Sequence, residues 1–214
     1  MKQCLLILTL VSVLGVAAPA VAQFMWIDVN GDGKCSSLDM LHSGVHSIDI
    51  WLSTNTNGNG SAAVCPSGTY PLTINSYTFV LSNGTGGVAY GQWTDAMGFS
   101  IAAGGPTFNS TDYFIGRAGA DILPPGTYKL GSLGITVTGY APILSIMKSS
   151  TIDPTSQTSF GSACEGQDFN NTMRYGENAD HVPPGDWNDV CGTSWLDAVS
   201  ETTWGRIKMQ YTSK

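Results

Sequence analysis

Short runs of alternating apolar and polar side chains recur along this chain, and no long helical periodicity displaces them. Over 45–52, Ile48, Ile50 and Leu52 fall on one face, with Asp49 and Trp51 on the other, as a half-buried strand requires. The run 72–81 starts with Leu72 and Ile74 and continues with Tyr77, Phe79 and Leu81 on the opposite parity. That switch predicts a bulge near Asn75 and Ser76. Asn83-Gly84 and Gly86-Gly87 then read as a hairpin turn into a strand over 88–93. Later strands are expected at 128–130, 133–138 and 143–147, the first launched by Pro124-Pro125-Gly126. Many short strands with turn signals between them predict an all-β chain folded as a single β-sandwich.

The sandwich does not include the first residues. Lys2, an apolar stretch from Leu5 to Val16 and the small-residue site Ala20-Val21-Ala22 form a secretory signal peptide over 1–22. A calcium loop with its lead-in segment occupies 23–44, continuous with a sandwich over 45–214 that is loop-rich at 149–190. The tail around Trp204, Ile207, Met209 and Tyr211 fits strand and helix templates alike; a short C-terminal helix capped by Thr202 or Thr203 is the reading adopted. No later segment approaches the ~18 apolar residues of a spanning helix, so no stable membrane insertion is expected. Removal of Lys2 leaves eight cations against sixteen acids, a net charge of −8. Such an acidic, exported chain is a poor match for nucleic acid.

Four cysteines survive cleavage: Cys35, Cys65, Cys164 and Cys191. An even number in an exported chain points to two disulfides with three connectivities open. Pairing between sequence neighbours, Cys35–Cys65 and Cys164–Cys191, is the preferred expectation. Each bridge would close a loop of about 30 residues and contribute ~3–4 kcal/mol.

The most specific chemistry lies in D-V-N-G-D-G-K-C-S-S-L-D, residues 28–39. Asp28, Asn30 and Asp32 occupy positions 1, 3 and 5 of a twelve-residue loop, and Gly33 takes position 6, where a calcium loop turns sharply. Lys34 would offer its backbone carbonyl, Ser36 a direct or water-mediated oxygen, and Asp39 the carboxylate of position 12. An all-oxygen set on a loose loop suits Ca2+ better than Mg2+. Asn55, Asn57 and Asn59 repeat the spacing with amides, ahead of Gly60, as an auxiliary metal site. Pro66 at their twelfth position has no side-chain oxygen, and a polar turn is the simpler reading. Asp180, Asp186, Asn188 and Asp189 match no ligand spacing and read as surface loop.

The D-V-N-G-D-G-x5-D stretch resembles the calcium loop of dockerin modules, which also end on Asp. Dockerins carry two such loops, each leading into a helix. Here a single good copy is followed by Gly44 and a strand, so the resemblance implies calcium binding without the docking helices. The runs H-S-I-D-I-W-L, I-N-S-Y-T-F-V-L and G-T-Y-K-L-G-S-L-G-I-T-V-T, followed by I-L-S-I, resemble cohesin and related carbohydrate-binding modules. That resemblance implies a jelly-roll-like sandwich that binds protein or polysaccharide. The chain is also similar to a group of exported bacterial proteins with an N-terminal D-x-[DN]-G-D-G loop and a C-terminal T-x-W-G-x-I-K segment, here residues 202–208.

No catalytic signature accompanies these features. His42 and His46 flank the first predicted strand and His181 lies in the acidic loop, with no H-E-x-x-H or G-x-S-x-G pattern. The expectation is therefore a non-enzyme, a secreted binding or cell-surface module. Trp51, Trp93, Trp187 and Trp195, each beside polar loops or at strand edges, are its candidate ligand-binding residues. The ligand would be a polysaccharide or an extracellular protein. A self-associating structural subunit of an extracellular assembly is an alternative, and a polysaccharide-active hydrolase another.

Overall fold

The computed structural model describes residues 23–56, 62–63, 65, 71–85, 87–108, 111–139, 142–150, 153, 155–161, 164 and 174–175. The strands are β1 (Phe24–Asp28), β2 (Gly44–Ser53), β3 (Ile74–Thr85), β4 (Val88–Asp95), β5 (Ile101–Phe108), β6 (Asp112–Leu123), β7 (Thr127–Val137), β8 (Ile143–Met147), β9 (Ser159–Gly161) and β10 (Arg174–Tyr175). The first sheet has the order β10-β1-β2-β7-β4 and the second β5-β6-β3-β8, with β9 pairing β3 beyond the end of β8. No helix occurs among the described residues. The expected C-terminal helix lies outside them.

Alternation builds the core, as the strand period demands. Met25 and Ile27, Ile48, Ile50 and Leu52, Leu133, Ile135 and Val137 turn inward from the first sheet. Tyr77, Phe79 and Leu81, Tyr113 and Ile115, Leu144 and Ile146 meet them from the second. Each such large side chain contributes about 1.5–3 kcal/mol by leaving water. Trp93 of β4 packs edge-on against Phe79 of the other sheet, ring centroids 5.1 Å apart. Room for that indole exists because residue 131 is glycine; a Cβ there would collide with the Trp93 ring and the Thr94 carbonyl.

The second sheet contains a seam. β3 pairs with β8 along Val80–Thr85 and with β9 along Ser76–Thr78. Where the partner changes, the fully buried Thr158 hydroxyl accepts the Val80 N–H at 2.9 Å and donates to the Met147 carbonyl at 2.5 Å. One side chain thus continues the backbone ladder. A second polar tie crosses the core, where the buried Tyr77 hydroxyl of β3 hydrogen-bonds to the Asp95 carboxylate and to the Leu130 carbonyl (3.3 Å) of the opposite sheet. Burial and that carboxylate push the Tyr77 phenol far above its ordinary range.

Several local expectations change. The parity switch in β3 coincides with a register shift against β6 between Ile74 and Ser76. The Asn83–Gly87 stretch, however, joins no hairpin. β3 lies in the second sheet and β4 in the first, so the turn carries the chain from one sheet to the other. The segments read as 128–130 and 133–138 form one strand, β7, opposite β2 and β4. β1, β5 and β6 were not expected at all.

Candidate functional site

β1 ends on Asp28 and feeds the 28–39 loop directly. Gly31 and Gly33 adopt left-handed φ values of 78° and 76°, which L side chains rarely adopt. Between and around them, loop amides converge on side-chain oxygens. Asp28 accepts the Gly31 N–H on Oδ1 and the Gly33 N–H on Oδ2, both at 2.7 Å. Asn30 Oδ1 accepts from the Asp32 N–H (2.9 Å) and Asp32 Oδ1 from the Lys34 N–H (2.8 Å). Asp39 closes the loop, with Oδ1 on the Val29 N–H (2.8 Å) and Oδ2 on the Ser36 N–H (2.6 Å). The Ser36 hydroxyl also donates to Asp39 and accepts the Leu38 N–H.

Asp28 and Asp39 are both fully buried, whereas Asn30, Asp32 and Lys34 are exposed. Burial raises the Asp39 carboxyl above its ordinary value; the Val29, Ser36 and Asn30 amides oppose that shift, and the Asp28 charge adds to it. Among the described residues, no three His, Cys, Asp or Glu side chains are gathered as a metal cluster. The donor set is nevertheless entirely oxygen. Asp28 Oδ1 and Asp32 Oδ1 each hold one N–H and keep a further lone pair, whereas Asp28 Oδ2 and both Asp39 oxygens each accept two hydrogen bonds. The all-oxygen chemistry of these side chains fits a hard cation such as Ca2+, which Asp39 would bind only by giving up loop hydrogen bonds.

The loop rests on the outer face of the first sheet. Trp51 of β2 donates its indole N–H to Asp28 Oδ2 at 3.2 Å, and its ring lies where a Cβ on Gly33 would stand 3.3 Å away. Trp51 also stacks on Trp26 (centroids 5.9 Å), which stacks on Phe24 (4.8 Å). Next to this row, Asp49 accepts the Lys129 ammonium at 2.5 Å and the Ser132 hydroxyl at 2.7 Å. Trp51 is thus half-buried and occupied as a brace for the loop.

The other nominated residues scatter. Trp93 is a core residue, 7% exposed, and contributes no ring to a surface platform. Trp187 and Trp195 lie outside the described residues, as do Asn57, Asn59, the acidic segment around Asp186 and the leader. Asn55 is exposed, with its Oδ1 accepting from the Thr56 and Ser53 hydroxyls. The expected disulfide pairing is overturned, because Cys65 bonds to Cys164, 99 residues on, with Cα atoms 5.8 Å apart. Chain topology, not sequence proximity, brings them together. Cys35 is disulfide-bonded as well, to a partner outside the described residues. It does not pin the loop to the neighbourhood of Cys65. His46 hydrogen-bonds the His42 carbonyl at 2.5 Å.

Sequence reasoning missed Trp26 and Asp49 as parts of this site. The signal lay in F-M-W-I-D, whose alternation buries Met25 and Ile27 and sets Phe24, Trp26 and Asp28 together on the opposite face.

No family model matches the chain, and no curated protein sequence matches it. Among solved structures it is similar to the cohesin module of a family 33 glycoside hydrolase from Clostridium perfringens, with a TM-score of 0.48 and 7% identity over 74% of this chain and 94% of that one. It is also similar to the seventh ScaB type I cohesin of Pseudobacteroides cellulosolvens, with a TM-score of 0.43 and 9% identity over 73% of this chain and 90% of that one. A third similar structure is the sixth cohesin of Acetivibrio cellulolyticus scaffoldin B, solved with a Cel5 dockerin, with a TM-score of 0.43 and 8% identity over 73% of this chain and 96% of that one. No helix among the described residues is long and apolar enough to cross a membrane. Over the described residues the chain is all-β, with two sheets packed about a single core.

Proposed function

We propose that this chain is an extracellular, calcium-binding β-sandwich that acts as a non-catalytic binding module with a protein ligand. One observation carries the reading: Asp28 and Asp39 are fully buried carboxylates at the two ends of a glycine-turned loop lined by oxygen donors. Asp28, Asn30, Asp32 and Asp39 would bind the ion through side chains, Lys34 through its carbonyl and Ser36 through an oxygen. The ion would supply positive charge to carboxylates that the loop amides compensate only in part, and so stiffen the entrance to β2.

Protein is favoured over sugar as the ligand by what the loop presents. Leu38 and Val45 are 70% and 82% exposed, and Met40 is exposed between them, while Leu41 is anchored in the core. Exposed aliphatic side chains of this kind suit a protein contact, whereas sugar platforms use free aromatic faces, and Trp51 and Trp93 are engaged internally. The test is a pull-down from culture supernatant with the full secreted chain, run with calcium and with EGTA, beside a glycan array. Calcium-dependent capture that Leu38→Ser with Val45→Ser abolishes supports the reading. Glycan binding that survives both substitutions, or hydrolysis of a glycan, overturns it.

A further inference from the structure

Among the described residues Asn-Gly occurs twice, at Asn30-Gly31 and Asn83-Gly84. In such a pair the glycine's backbone nitrogen can attack the asparagine's side-chain amide carbon and expel ammonia, because glycine puts no Cβ in the way. The fold treats the two pairs oppositely. Asn83 lies inside β3, opposite Leu144 of β8, with its N–H on the Thr111 carbonyl at 2.8 Å. A Cβ on Gly84 would stand 3.4 Å from Ile143. Ladder and packing hold that stretch extended, and attack on Asn83 would have to disrupt both.

Asn30, by contrast, is exposed, and nothing lies within 4 Å of where a Gly31 Cβ would stand. Two hydrogen bonds prepare the reacting atoms. The Gly31 N–H donates to Asp28 Oδ1 at 2.7 Å, so a carboxylate is in place to take the proton that the nitrogen sheds. Asn30 Oδ1 accepts the Asp32 N–H at 2.9 Å, so a backbone donor faces the oxygen on which negative charge builds during attack.

We propose that Asn30-Gly31 is a self-modifying site, at which the Asp28 carboxylate and the Asp32 amide promote conversion of Asn30 to aspartate or isoaspartate. The Gly31 nitrogen bonds to Asn30 Cγ and gives its proton to Asp28. That proton passes to Nδ2 as the Cγ–Nδ2 bond breaks, and ammonia leaves a cyclic imide behind. Water then opens the ring: entry at Cγ yields aspartate, and entry at the main-chain carbonyl yields isoaspartate. Aspartate keeps the loop spacing and adds a carboxylate between Asp28 and Asp32. Isoaspartate adds a carbon to the main chain between residues 30 and 31, which displaces the Gly31 and Gly33 amides from Asp28. The reaction proceeds without a bound cation.

Peptide mapping by mass spectrometry tests this on the full chain, held in EGTA at mildly alkaline pH. The same chain unfolded in urea with reductant sets the reference rate for each Asn-Gly pair. Folding should speed amide loss at Asn30 by at least about tenfold over that reference, since positioned proton transfer contributes that much or more. At Asn83 folding should slow it instead. Asp28→Asn, checked for a native circular dichroism spectrum, should return Asn30 to the unfolded rate. Amide loss at Asn30 no faster in the folded chain than in the unfolded one overturns the proposal, a comparison that stands even if the variant fails to fold. An unchanged rate in folded Asp28→Asn overturns it too.

Discussion

Asp28 and Asp49 stand directly opposite each other across β1 and β2, two carboxylates at one register position on the outer face of the first sheet. Like charges so placed are destabilising, and the structure compensates each one separately. Asp28 is held by the Gly31 and Gly33 amides and the Trp51 indole; Asp49 is held by Lys129 and Ser132. The loop and the face of the sheet are therefore electrostatically one object.

Lys129→Met should destabilise the protein by about 1–3 kcal/mol, because it leaves Asp49 facing Asp28 with only a serine to steady it. Added salt should relieve part of that loss by screening. Lys129→Met combined with Asp49→Asn should recover much of it. Urea unfolding at low and high salt reads the difference; a double variant as weak as the single one would contradict the pairing.

Calcium at a hundredfold excess over its Kd should stabilise by about 2.7 kcal/mol, a rise of roughly 5–10 °C in Tm for a chain of this size. Asp32→Ala should remove most of that rise and cost under about 1 kcal/mol in EGTA, since exposed Asp32 holds a single loop amide. Asp28→Ala should cost at least about 2 kcal/mol even in EGTA, because three donors lose their acceptor. Thermal melts of metal-stripped protein check both numbers.

Thr158→Val should cost about 1–3 kcal/mol, the penalty for stranding the Val80 N–H inside the second sheet. Thr158→Ser keeps the hydroxyl and should cost less. Hydrogen exchange at Val80 gives a local readout, with faster exchange expected in the valine variant alone.

Tyr77→Phe should cost a similar amount, about 1–3 kcal/mol, by removing the hydroxyl that joins β3 to Asp95 and Leu130. The loss should appear mainly as faster unfolding if this inter-sheet tie forms late in folding. Stopped-flow chevrons measure it.

Alkaline pH should unfold the protein. Burial holds the Tyr77, Tyr90 and Tyr113 phenols above their ordinary value of 10.0, Tyr113 at about 12. The unfolded chain loses these protons first, so stability falls as pH rises from 10 towards 12. Phenolate absorbance should then grow together with loss of circular dichroism. Ionisation of these tyrosines well before unfolding would contradict their burial.

The parts of the fold legible in the sequence are those where side-chain alternation is strong. Ile48, Ile50 and Leu52 mark β2, and Tyr77, Phe79 and Leu81 mark β3 after its irregularity. β6 escaped notice because Gly116 and Gly119 sit in a run that reads as turn, and β5 because it holds Gly104-Gly105-Pro106. The Asn83–Gly87 turn is visible in the sequence, but which sheet each flanking strand joins is decided by distant partners. The same holds for Cys65, whose partner is set by where β9 meets β3. At the candidate site, the order of oxygen-bearing residues in the loop is local and readable. The support that Trp51, Trp26 and Asp49 give it depends on strand register and is not.

The Cys65–Cys164 bond encloses β3 to β9 in one covalent ring. A single cut by an extracellular protease anywhere between those cysteines would open the ring without releasing either part. The severed strands would stay tethered at a high effective concentration and could pair again as an intramolecular step. For a chain exported as proposed, beyond the reach of resynthesis, that ring makes survival of a nick a property of the chain's topology, separate from how stable the intact fold is.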